Sequence, residues 1–163
     1  MTLAPDYYVD SVLDIPYDTL WKKNIRGLIY DIDNTLAFFD RPQVSAKVAV
    51  MLKRVEKMGF RICLLTNNTR KRLAQFDPLG LDGFANALKP LTGGVVLAMR
   101  RMGTLPAHTA IIGDQLFSDV WAGKRARITT VLVKPMTQKD FFFVKWKRFF
   151  ENRLLRRYFP DSQ

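Results

Sequence analysis

Two carboxylates two positions apart, Asp31 and Asp33, follow directly on the apolar run Gly27-Leu28-Ile29-Tyr30. If the extended chain continued past Tyr30, both acids would project to the same side; if it turned after Asp31, the second would fold over the first. Either way two negative charges lie close together and repel unless a cation or a shared proton separates them. A hard divalent ion with oxygen ligands, Mg²⁺ above all, meets that need.

Three further chain segments offer groups suited to the same chemistry. Leu65-Thr66-Asn67-Asn68 supplies a hydroxyl, amide side chains and loop N–H groups for phosphate oxygens. Lys89, in Leu88-Lys89-Pro90, supplies a cation where charge on a transferring phosphoryl group must be neutralised. Asp114, after Gly113, is another hard oxygen ligand, and Asp119 opens the helical segment that follows. Each is commonplace alone, as a cap, a solvated charge or a turn. Their occurrence in this order after successive apolar runs is what points to a site.

The elements that must position them can be read from periodicity. Short apolar runs at Gly27–Tyr30, Arg61–Leu65, Phe84–Leu88, Ala110–Ile112 and Thr129–Val133 have the character of strands buried on both faces. Between them lie helical segments. Val44–Met58 carries Val48, Met51, Leu52 and Val55 on one face and is stopped by Gly59; a shorter helix starts near Thr69 and ends before Asp77-Pro78; Gly94–Met102 and Asp119–Ala126 complete the set. Strands alternating with helices through right-handed crossovers predict an α/β fold around a mostly parallel sheet. In such sheets ligands sit beyond the carboxyl ends of the strands, where all of the residues above fall.

The four segments resemble the four motifs of the haloacid dehalogenase superfamily, in its phosphatase branch, over about residues 5–135. Similarity is closest to the YqeG-like group of subclass III-A, through Leu3-Ala4-Pro5-Asp6-Tyr7-Tyr8-Val9 and Gly113-Asp114-Gln115-Leu116-Phe117-Ser118-Asp119. Relatives of that group include phosphatidylglycerophosphate phosphatases. The resemblance implies a Rossmann-like three-layer sandwich and hydrolysis of a phosphomonoester. It casts Asp31 as nucleophile and Asp33 as the acid and base that protonates the leaving oxygen and then activates water, a role that calls for neighbouring acids to raise its pKa. It assigns Mg²⁺ to the Asp31 side chain, the Asp33 backbone carbonyl and Asp114. It gives the phosphoryl oxygens to Thr66, Asn67 and Lys89, and makes Asp119 the group that orients Lys89 or a metal-bound water. About 32 residues separate Asp33 from Thr66, and fewer separate Thr66 from Lys89. Neither interval holds the cap domain found in many relatives, so a capless, open site is expected, suited to large or surface-borne substrates unless subunits of a homo-oligomer cover one another.

Composition sets the remaining bounds. The chain has 163 residues, 48% of them hydrophobic, enough for one domain with a proper core. No run approaches the roughly 18 apolar residues that cross a bilayer, and the first ten residues do not read as a secretory signal. The single cysteine, Cys63, lies in an apolar run, reads as a core thiol and agrees with a reducing, cytoplasmic setting; His108, before a strand, reads as structural. The formal net charge of +11 calls for an anionic partner.

Much of that excess falls after Val133, and residues 136–163 read as a basic, aromatic helical extension of a 1–135 phosphatase domain. On a helix, Phe142, Phe143, Trp146, Phe149 and Phe150 share one face, while beyond Glu151-Asn152 the apolar positions rotate away. Three neighbours fit residues 140–158: an anionic membrane surface at its inner face, packing on the domain or a partner subunit, and nucleic acid, the last without any recognised RNA-binding motif in support. Three functions follow: a phosphatase at the membrane surface acting on phosphatidylglycerophosphate, a soluble sugar- or nucleotide-phosphate phosphatase, and a non-catalytic RNA- or protein-binding module.

Overall fold

The computed structural model describes residues 2–136, so the basic aromatic segment at 140–158 lies outside the described residues. Six strands form one sheet in the order β1-β6-β5-β2-β3-β4, and every pairing is parallel. They are β1 (Tyr7–Val9), β2 (Gly27–Tyr30), β3 (Arg61–Leu65), β4 (Asp82–Phe84), β5 (Thr109–Gly113) and β6 (Thr129–Val133). The helices are α1 (Tyr17–Lys22), α2 (Ala46–Lys57), α3 (Arg70–Ala74), α4 (Gly93–Met102) and α5 (Trp121–Arg125).

The central strands are buried on both faces because their side chains alternate between two cores. Leu28, Tyr30, Ile62 and Leu64 pack with Tyr17 and Leu20 of α1 and Val48, Met51, Leu52 and Val55 of α2. Ile29, Cys63, Leu65 and Ile111 pack on the other side with Val95, Ala98, Met99 and Met102 of α4 and Ala122 of α5. The result is the three-layer α/β sandwich expected from the sequence. Burial pushes the Cys63 thiol up to about 12, with Asp82 adding to the effect, as befits a core residue. His108 sits at the amino end of β5, its Nδ1 3.0 Å from the Asn24 carbonyl oxygen, at the end of the sheet opposite the chemistry.

Local chemistry fixes the helix starts. The Ser45 hydroxyl accepts from the Val48 N–H at 3.3 Å to cap α2, and Thr69 caps α3 by accepting from Arg72 N–H at 3.2 Å. Gly103, at φ 64°, closes α4 in the left-handed conformation that glycine adopts without penalty.

Four elements differ from the sequence reading. The fourth strand is Asp82–Phe84 rather than Phe84–Leu88; Asn86 and Leu88 take positive φ (51° and 55°), which no strand accommodates. The segment that the periodicity assigns to a helix from Asp119 begins as a π-helical turn, Leu116–Val120, before α5. The short β1 and α1 have no counterpart in the sequence reading; β1 is an edge strand of three residues, and too short to show alternation. No domain is inserted between β2 and β3, which are joined by a loop and α2, nor between β3 and β4, joined by α3 and a turn.

Candidate active site

Asp31 directly follows β2 and keeps its backbone in the ladder, its N–H donating to Ile112 O at 2.9 Å. The chain then turns: Asn34 takes φ 62°, and its N–H donates to Ala37 O at 2.7 Å. Asp33 is therefore lifted out of line with Asp31. Thr66 follows β3 with its N–H on Phe84 O at 3.0 Å, and its hydroxyl accepts from the Asn68 N–H at 3.0 Å. Asp114 follows β5. Asp31, Asp33 and Thr66 converge on a cavity of about 330 Å³ whose lining is completed by Asn67, Asn68, Lys89, Gln115 and Ser118.

Lys89 is the centre of the arrangement. Its Nζ donates to Asp119 Oδ1 at 2.6 Å, Asp31 Oδ1 at 2.8 Å and the Leu65 carbonyl at 2.8 Å. Three acceptors use all three ammonium protons, which fixes the buried side chain in place. The backbone is fastened as well: Asn67 Oδ1 accepts from the Lys89 N–H at 2.7 Å, and Asn67 Nδ2 donates to the Lys89 carbonyl at 2.9 Å. Asn67, expected to meet phosphate, thus spends its amide holding Lys89. Asp119 in turn accepts from the Gln115 N–H through Oδ2 at 3.1 Å.

Asp31, Asp114 and Asp119 are all buried and offer oxygens within 4.8 Å of one another, while Lys89 pairs with two of them. That pairing with two of the three carboxylates leaves an excess of negative charge in a buried place. Burial pushes Asp31 up to about 7, Lys89 pulling it down and Asp119 and Asp33 adding to the rise. Burial would lower Lys89, but Asp119 and Asp31 outweigh it and hold the ammonium above its ordinary range. An all-oxygen set with surplus negative charge fits a hard divalent cation such as Mg²⁺. Thr35, a residue the sequence did not single out, donates from Oγ1 towards Asp114 Oδ1 (3.4 Å) and Asp31 Oδ2 (3.5 Å).

Asp33 stands apart from that cluster. The sequence reading sets acids around it; the structure sets a guanidinium there. Arg72 Nη2 and Nε lie 2.8 and 2.9 Å from Asp33 Oδ1, and Asn68 Nδ2 donates to Oδ2 at 3.1 Å. Arg72 also donates to the carbonyls of Phe38 and Arg41 and to Gln75 Oε1, so one buried side chain ties the loop after Asp33 to α3. Nothing in the pattern Thr69-Arg70-Lys71-Arg72 separates this arginine from its exposed neighbours; only the Asp33 contact does.

The haloacid dehalogenase-like hydrolase family matches residues 11–127, the stretch that carries all four strand-end segments. The chain belongs to that family. Over 152 residues it is 32% identical to the probable phosphatase YqeG of Bacillus subtilis, covering 93% of this chain and 88% of that protein. It is 23% identical to the chloroplastic/mitochondrial phosphatidylglycerophosphate phosphatase 1 of Arabidopsis thaliana, covering 96% of this chain but 48% of that longer protein. Among solved structures, the cobalt-bound deoxy-D-mannose-octulosonate 8-phosphate phosphatase of Haemophilus influenzae superposes with a TM-score of 0.55 at 18% identity, over 82% of this chain and 89% of that one, which shows the shared fold. This hydrolase therefore stands in the phosphatase branch, beside the YqeG group. Among the described residues no helix is long and apolar enough to cross a membrane.

Proposed function

We propose that the chain hydrolyses a phosphomonoester through an aspartyl-phosphate on Asp31, with phosphatidylglycerophosphate, presented at a membrane surface, as its substrate. One observation carries the catalytic reading: Lys89 Nζ lies within 2.8 Å of Asp31 and 2.6 Å of Asp119, at the floor of a cavity whose walls include Asp33 and Thr66. A family scaffold alone does not imply chemistry; the pairing of Asp31 with Lys89 beside that cavity is what supports this reading.

Asp31 attacks phosphorus with a carboxylate oxygen, and the P–O bond to the alcohol breaks. Asp33 must enter the cycle protonated, on Oδ2, the oxygen that Arg72 does not hold, and it gives that proton to the departing oxygen. It then takes a proton from the water that attacks the aspartyl-phosphate, and inorganic phosphate leaves with Asp31 restored. Thr66 and its neighbouring backbone amides hold the equatorial oxygens, and Lys89, its three protons committed to Asp31, Asp119 and the Leu65 carbonyl, offsets their charge through space, where electrostatic stabilisation is worth several kcal/mol of barrier. Asp31, Asp114 and the backbone carbonyl of Asp33 would hold Mg²⁺, which when bound neutralises charge on the phosphoryl oxygens. Asp119 keeps Lys89 aimed.

The substrate reading draws on the phosphatidylglycerophosphate phosphatases among the relatives, on a net charge of +11 and on a site that no inserted domain covers. A phosphate-release assay with Mg²⁺ over lipid, nucleotide and sugar phosphates tests both parts. We expect release from phosphatidylglycerophosphate to exceed the soluble esters and to vanish in Asp31→Asn. Retained turnover in that variant refutes the nucleophile; preference for a sugar or nucleotide phosphate refutes the lipid.

A further inference from the structure

Nine large apolar side chains are exposed among the described residues, and four of them, Phe38 (40%), Phe39 (43%), Leu88 (66%) and Leu91 (53%), lie on the two loops that deliver Asp33 and Lys89 to the cavity. The other five are spread one each over the turn at Leu13, α2, α4, the segment before β5, and α5. Exposed leucines and phenylalanines scattered singly need no explanation, but four on the two segments that carry site residues do.

Each loop is rigidly tied to the chemistry beneath it. The Phe38 carbonyl accepts from Arg72 Nη2 at 2.9 Å, and the same nitrogen lies 2.8 Å from Asp33. Leu88 adopts φ 55°, a backbone conformation that leucine seldom takes, next to Lys89; the Leu91 N–H donates to the Leu88 carbonyl at 2.9 Å and closes the turn. A strained backbone that turns a leucine outward beside the site's central cation belongs with function rather than packing. The surroundings are basic: Arg70 and Lys71, both exposed, open α3 on the same end of the sheet. Asp40 is the only acid on the loops at 34–45, 66–69 and 85–92.

We infer that the rim formed by Phe38, Phe39, Leu88 and Leu91, with Arg70 and Lys71, is a docking face for an anionic lipid bilayer, seating the cavity against the headgroup layer. The inference deepens the phosphatase reading, on which it rests, by naming the surface that meets the membrane. Apolar side chains that enter the interface beside cations that meet anionic headgroups are the complement of such a surface. The cavity itself is polar and admits a phosphate, so the acyl chains of a lipid ester stay in the bilayer and the protein must come to them.

The full chain, sedimented with phosphatidylglycerol/phosphatidylcholine vesicles and with phosphatidylcholine alone, is expected to bind the anionic vesicles. The double variant Phe39→Ser/Leu91→Ser should bind at least tenfold more weakly. Arg70→Gln/Lys71→Gln should bind about thirtyfold more weakly, each basic residue being worth about fivefold at an anionic surface. Because residues 137–163 are present throughout, Phe39→Cys carrying a polarity-sensitive dye gives a local readout; Cys63 is buried and does not compete for label. A blue shift on adding anionic vesicles supports the rim. Sedimentation of both double variants like the parent, no shift at position 39, or a shift that follows protein concentration without vesicles and so reports a second copy, overturns it. Hydrolysis of para-nitrophenyl phosphate by the unmodified chain is scored separately, so failure of the phosphatase reading is seen independently of the rim.

Discussion

Arg72 grips a single oxygen of Asp33 with two nitrogens, Nη2 at 2.8 Å and Nε at 2.9 Å. With Asn68 on the second oxygen, the carboxylate of the proposed acid is held from both sides, and the one acceptor site left open lies on Oδ2, where a proton for the leaving group would sit.

Arg72→Lys tests what that grip contributes. Lysine keeps a charge but cannot reach Asp33, Gln75 and the carbonyls of Phe38 and Arg41 together. Losing this network beneath the loop should cost about 2 kcal/mol, or roughly 6 °C in melting temperature for a chain of this size. With the phosphate contacts untouched, kcat for a small phosphomonoester should fall about tenfold while KM stays close to the parent. A rise in KM with unchanged kcat would mean that Arg72 serves binding instead.

Lys89→Met tests the charge balance of the site. Removing the ammonium leaves three buried carboxylates facing one another, and breaking a buried pair in this way costs about 3–5 kcal/mol. Turnover should be lost. The more telling readout is thermal: Mg²⁺ should raise the melting temperature of this variant further than that of the parent, because a cation then supplies the missing positive charge, and chelator should reverse the gain. An equal response to Mg²⁺ in both proteins would place the ion elsewhere.

Gly113→Ala tests how closely the site is packed. A methyl there would stand 2.2 Å from the Asp119 Cγ and Oδ2, so the carboxylate must swing away from Lys89 and from the Gln115 N–H. We expect at least a hundredfold loss of kcat with only about 1–3 kcal/mol of lost stability, measured by steady-state kinetics and urea unfolding. Near-normal kcat would show that Asp119 need not hold Lys89.

Strand-end residues were legible because each follows an apolar run whose burial dictates its position: Asp31, Thr66 and Asp114 all sit where the ends of Gly27–Tyr30, Arg61–Leu65 and Thr109–Gly113 put them. Lys89 does not stand at a strand end as the sequence suggests: the strand preceding it ends at Phe84, and a loop with two residues at positive φ carries the chain onward to it. Phe84–Leu88 reads as a strand because its apolar composition suggests burial, but only Ala87 of these five residues is buried and Leu88 is 66% exposed. Arg72 and Thr35 were invisible: their importance lies in contacts across 39 and 79 positions of chain, to Asp33 and Asp114, that no local pattern encodes.

The edge of the sheet gives the prediction for acid. Asp6 receives the Thr130 N–H and hydroxyl on Oδ2, both at 2.8 Å, and Lys124 Nζ on Oδ1 at 2.7 Å, tying the start of the chain to β6 and α5. Burial would raise its pKa; the Lys124 and Thr130 contacts outweigh that and hold it below the ordinary carboxylate value. A depressed pKa in the folded state means the unfolded chain binds the proton more readily, so the stabilisation is complete above the unfolded value and disappears as pH falls through the folded one. Asp6→Asn should therefore cost about 1 kcal/mol near pH 7, a figure kept small because the side chain is half open to solvent. The difference from the parent should shrink steadily below about pH 4. Urea unfolding of both proteins from pH 7 to pH 3 measures this, and a gap that stayed constant over that range would mean that the aspartate acts through shape rather than charge.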